Sequence, residues 1–145
     1  MQTYLQSGNV VLESTLTASK LEQTLERRLA AGLGFEVDVL VRTADDLSTI
    51  LARNPLRVVA TDPARYLVTF LRQKPSRELV ERLTEAAVSP EQVVAVGREL
   101  FSWHPGGVGR SKLAKLLQPK PLGVSASARN WRVVEQLAAL ASGEG

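Results

Sequence analysis

Between Leu100 and Val134 the chain carries six lysines and arginines and not one acid. Two places in that stretch have residue types suited to holding an anion. In the first, the Gly-rich run Pro105-Gly106-Gly107-Val108-Gly109 leads through Arg110-Ser111-Lys112 into an expected helix. The second, Ser127-Ala128-Arg129-Asn130, reads as the start of the last helix. A cation at an exposed helix N-terminus is unfavourable by about 0.3–1 kcal/mol. A bound anion reverses that sign, because it collects free backbone N–H groups, the helix dipole and the cations together. Glycines let the backbone come close to such a ligand. Earlier helices start the opposite way, with Glu22, Asp45-Asp46 and Glu78 in their first turns. The candidate phosphate-binding set is therefore Gly107, Gly109, Arg110, Ser111, Lys112, Ser127, Arg129 and Asn130. The glycine spacing fits neither a Walker A loop nor a dinucleotide fingerprint. A plain loop with exposed lysines is the alternative, and it stays open.

Other chemistry is sparse. The chain has no cysteine and one histidine, which excludes disulfides, thiolate catalysis and a multi-histidine metal site within one chain. Ser111, His104 and Asn130 are the groups an enzyme acting on a phosphorylated metabolite would use. No nucleophile–base–orienter set is visible, so no catalytic residue is assigned. Trp103 and Trp131 read as core side chains or as stacking platforms for a base. Three charge-assisted hydrogen bonds would give roughly 5–9 kcal/mol before binding costs. A lone phosphate would then bind in the millimolar to high-micromolar range, and stacking would add about 1–3 kcal/mol per base.

These residues have to be positioned by a chain of 145 residues, long enough for one ordinary domain or two small lobes. Residues 1–99 hold 12 Lys/Arg and 13 Asp/Glu, and residues 100–145 hold 6 and 2, so the positive charge is concentrated at one end. Thr3 to Gln6 and Val10 to Glu13 read as strands around a Ser7-Gly8-Asn9 turn. Ser19 to Glu22 reads as a capping box opening a helix with Leu21, Leu25 and Leu29 on one face. Gly32 and Gly34 stop it. Phe35 to Arg42 alternates, as a half-buried strand does. Thr43-Ala44-Asp45-Asp46 caps a helix that ends at Asn54-Pro55. Tyr66 to Leu71 has the composition of a central strand. Ser76 caps the next helix, and Gln92–Val96 with Glu99–Trp103 forms a hairpin through Gly97-Arg98. A short helix follows from Ser111, an extended piece covers Leu122 to Ala126, and a final helix runs from Ala128 to Ala141.

The fold class is α+β, and the second half reads as a split β-α-β unit of ferredoxin type. Thr3-Tyr4-Leu5-Gln6-Ser7-Gly8-Asn9-Val10-Val11 resembles a segment of the bacterial domain of unknown function 1697 family. So do Val39 to Thr43, Gly107 to Leu113 and Ser127 to Trp131. The resemblance implies two ferredoxin-like (α/β plait) lobes with mostly antiparallel sheets, at residues 1–60 and 61–145. It also implies that the first lobe lacks an opening strand and helix, and it implies no established activity. Arg132-Val133 stands where an Asn-Thr pair is usual in that family. The expected partners are a nucleotide or nucleic acid, and a second copy covering the open sheet edge. No cofactor, metal or membrane is expected, and the expected compartment is the cytoplasm.

Overall fold

A computed structural model describes residues 3–6, 9–35 and 39–143. The apolar run predicted as a central strand is one: β3 (Tyr66–Leu71) is buried along its whole length. It sits between β5 (Glu99–Trp103) and β6 (Ala126–Asn130), and β4 (Gln92–Val96) lies outside β5. Every neighbouring pair in this four-stranded sheet is antiparallel. The β4–β5 hairpin turns through Gly97 at φ 59°, the left-handed region that a residue without Cβ enters at little cost.

Alternation along the strands splits the core into two layers. Tyr66, Val68 and Phe70 of β3 join Phe101 and Trp103 of β5 on one face. Leu47 and Ile50 of α2 (Ala44–Arg53) and Val134 and Ala138 of α6 (Trp131–Ala141) cover them. On the other face Leu71 and Leu100 meet Leu79 and Leu83 of α3 (Arg77–Ala86), Leu113 of α4 (Lys112–Leu116), Leu117, and Leu122 of α5 (Pro119–Leu122). The caps of α2 and α3 are as the sequence predicts. Thr43 and Asp46 form a reciprocal capping box, and the Ser76 side chain accepts the Leu79 N–H.

The first half departs further from expectation. β1 (Thr3–Gln6) and β2 (Asn9–Leu12) pair with each other in a sheet of two; Ser7 and Gly8 of their predicted turn lie outside the described residues. The helix α1 (Ala18–Leu33) is capped by Thr17, not Ser19, and Gly32 falls inside it while Gly34 ends it at φ 80°. None of its sixteen residues is buried, although its leucines recur every four positions. The predicted strand Phe35 to Arg42 is corrected in part. Phe35 is exposed, residues 36–38 including Val37 lie outside the described residues, and residues 39–42 belong to no strand. Carboxylates of α1 take up their backbone donors instead: Glu26 accepts from the Val39 N–H (3.0 Å) and Glu22 from the Val41 N–H (2.7 Å). Glu22, read as half of a capping box, therefore has a different task.

Candidate functional site

The fold sorts the eight residues of the candidate anion site into two groups on opposite faces of the sheet. Ser127 and Arg129 lie on β6 rather than at a helix start, because this segment pairs with β3 and α6 begins only at Trp131; Asn130 ends the strand and stands at the start of α6. The strand wins here because pairing with β3 satisfies the inward-facing backbone groups of this segment and completes the second side of the buried β3. Asn130 caps α6, its Oδ1 accepting the Val133 N–H at 3.0 Å. Ser111 and Lys112 instead begin α4 on the other face, and that helix has only five residues. The starts of α4 and α6 are thus separated by the sheet.

Ser111 is fully engaged. Its hydroxyl donates to Glu91 Oε2 (2.5 Å) and accepts from the Ala114 N–H (3.1 Å). His104 Nδ1 lies 2.8 Å from the same oxygen, and Nε2 lies 2.7 Å from Ser102 Oγ. Ser111 has one proton, and it goes to the carboxylate, so His104 must carry its own proton on Nδ1 and donate it to Ser111. Nε2 then accepts from the Ser102 hydroxyl. His104 and Ser102 are both completely buried. Burial holds the imidazole pKa below its ordinary value. The 3.4 Å approach of His104 Nδ1 to Glu91 is therefore a contact with a neutral ring, not an ion pair. Burial also opposes ionisation of Glu91, but hydrogen bonds from Ser111 and the Val88 N–H, with the His104 Nδ1–H close by, outweigh it and leave its pKa below the usual carboxylate value. This chain closes the base of the Gly-rich loop. The Gly107 N–H donates to the His104 carbonyl, and Arg65 Nη1 donates to the Pro105 carbonyl (2.6 Å). Gly107 sits at φ 98° within it. Gly109, Arg110 and Lys112 are exposed.

Arg129 differs from every comparable arginine. Four described arginines are partly buried: Arg42, Arg72, Arg98 and Arg129. Arg42 pairs with Glu99 at 2.9 Å, Arg72 with Glu26 at 2.7 Å, and Arg98 with Asp46 at 3.9 Å. Arg129 has no acidic partner among the described residues. Its Nε donates to Asn9 Oδ1 (2.7 Å) and its Nη1 to the Ala128 carbonyl (2.8 Å), and among the described residues Nη2 has no acceptor. Burial alone lowers its pKa. Asn9 belongs to β2, so two of the sequence motifs meet here across 120 positions.

Residues 1–101 match the model of a family described as "Protein of unknown function (DUF1697)". The chain belongs to this family. The match includes Asn9 and Glu91 and ends before the Gly-rich loop and β6. No curated protein and no solved structure matches the chain. In this DUF1697 chain Trp131 packs its ring against Tyr66 (5.1 Å between centroids) and Phe101 (6.5 Å), and Trp103 is buried, so both tryptophans serve the core. Among the described residues no group of three His, Asp or Glu side chains gathers as a metal would need, and no helix is long and apolar enough to cross a membrane. The sequence reading missed Glu91 and the pairing role of Asn9. Neither has a local signal, since both act through contacts distant in the chain.

Proposed function

We propose that this DUF1697 chain is a binding module for a phosphate-bearing ligand, nucleotide or nucleic acid, with Arg129 as the anchoring cation. The observation that carries this reading is the half-buried guanidinium of Arg129, which keeps unused donors and has no carboxylate beside it among the described residues. A charge withdrawn from water is normally paired or coordinates a ligand. Ser127 stands two residues away on the same strand face, and Asn9 fixes the guanidinium plane. Arg110 and Lys112 leave the sheet at the same end, since the exits of both β5 and β6 lie opposite the start of β3. They would contribute steering more than direct contact. Ser111 and Asn130 leave the predicted contact set, because their side chains already cap helices. The strand order, with α3 and the α4–α5 pair as its two crossovers, supports reading residues 61–145 as one ferredoxin-like lobe. Residues 1–60 then form a partial second one.

Each charge-assisted hydrogen bond is worth about 1.5–3 kcal/mol, so losing Arg129 should weaken binding by at least about tenfold. Calorimetric titration of ATP and of a short single-stranded oligonucleotide into wild type and Arg129→Met tests this. Steep weakening with salt for the oligonucleotide alone identifies a nucleic-acid ligand. Equal affinity of the two proteins, or binding of neither ligand, overturns the reading.

One observation favours a second reading, self-association. Leu29, Leu33 and Phe35, at the end of α1 and just beyond it, are 40%, 52% and 62% exposed. A second copy covering that face would remove their apolar surface from water. Sedimentation velocity should show a dimer that Leu33→Glu dissociates, and a concentration-independent monomer rules it out.

A further inference from the structure

At the opposite end of the sheet from Arg129, a cleft of about 730 Å³ opens between the segment following β3 and the turn between α5 and β6. That volume falls within the range of small-molecule sites. Its apolar floor is Leu71, Leu79 and Leu122, all from the second core layer, and Val124 stands at its rim 45% exposed. Ser76 and the first turn of α3 form one wall.

The charges lining the cleft do not cancel. Arg72, Lys74 and Arg82 line it against one acid, Glu78. Arg72 is matched by Glu26 at 2.7 Å. Neither Lys74 nor Arg82 has an acid within ion-pair distance among the described residues, and Arg82 reaches only the Pro121 carbonyl, at 3.5 Å. With Glu78 offsetting one of those two cations, one positive charge is left over beside an apolar floor. We propose that this cleft is a second ligand site, for a small monoanion with an apolar body, such as a carboxylate or sulfonate on an aromatic or hydrocarbon group. The apolar part would lie on Leu79, Leu122 and Val124, and the anionic head would lie between Lys74 and Arg82. A dianion would be disfavoured by Glu78, which sets this site apart from the phosphate-bearing ligand proposed for Arg129.

The probe is 8-anilinonaphthalene-1-sulfonate, titrated into ¹⁵N-labelled full-length protein and followed by backbone amide shifts. The expected result is saturable shifts confined to residues 71–82 and 122–125. Lys74→Ala with Arg82→Ala should weaken the affinity at least tenfold. Both side chains are exposed, so the fold should tolerate the change. Lys115→Ala with Arg57→Ala removes the same net charge from exposed positions elsewhere and should leave the affinity unaltered. N-Phenyl-1-naphthylamine, the neutral counterpart, should bind at least tenfold more weakly and ignore all four substitutions. Shifts centred elsewhere, equal affinity in the Lys74/Arg82 variant, or equal binding of the neutral probe would each overturn the proposal.

Discussion

A guanidinium drawn half out of water without a counter-ion is costly to the fold, and among the described residues Arg129 is in that position. If ligand binding is its purpose, removing it should not harm stability. Arg129→Met keeps the apolar stem and removes the charge, so its melting temperature should equal or exceed that of wild type. A large drop on differential scanning calorimetry would make Arg129 a structural clamp between β2 and β6. His104 gives the opposite case, a buried polar side chain whose partners are all inside the protein. Its folded pKa lies below the ordinary value of about 6.5, so the unfolded chain binds the proton first as the pH falls. Stability is therefore complete above about pH 6.5 and declines below it until the folded pKa is reached. Glu91, also depressed, acts in the same direction but only below about pH 4.3. Melting curves of His104→Gln should thus lose the wild-type slope between pH 6.5 and 5. An unchanged slope would assign that pH dependence to other groups.

At the scale of elements, Arg42 is one of the side chains that tie the segment before α2 to the four-stranded sheet. Its side chain is 6% exposed, pairs with Glu99 and donates to the Leu71 carbonyl at 2.6 Å. Its guanidinium also lies 5.4 Å from the Phe70 ring centre. Arg42→Met strands the Glu99 carboxylate, so chemical denaturation should show a loss of about 3–5 kcal/mol. Adding Glu99→Leu should restore much of it, and a single variant as stable as wild type would refute the role. Elements with local signals were legible in the sequence: the caps at Thr43 and Ser76, the apolar run of β3 and the hairpin through Gly97. Where tertiary partners decide, the reading failed. Residues 126–130 have small and polar side chains that fit a helix start, and only the open edge of β3 makes them a strand. Residues 39–42 alternate like a strand, yet Glu22 and Glu26 of α1 accept the N–H groups of Val39 and Val41. The candidate site was legible as a set of cations and not as a place, because the sequence does not reveal which face of the sheet α4 and α6 occupy.

For the whole molecule, the acid-free basic stretch is divided by the sheet. Lys112 and Lys115 belong to the α3–α4–α5 face, and Arg129 faces the α2–α6 layer beside the β1–β2 hairpin. Of the cations in that stretch, Arg129 is the one held by Asn9, whereas the cleft with an apolar floor takes its cations, Lys74 and Arg82, from outside the stretch. The most direct test of the Arg129 site is to watch the guanidinium itself. In a ¹⁵N spectrum of the arginine side chains, the Nε–H resonance of Arg129 should move and saturate as pyrophosphate is added at constant ionic strength. Those of the ion-paired Arg42 and Arg72 should stay in place. An Arg129 resonance that never moves, or that moves no more than the others, would contradict the account.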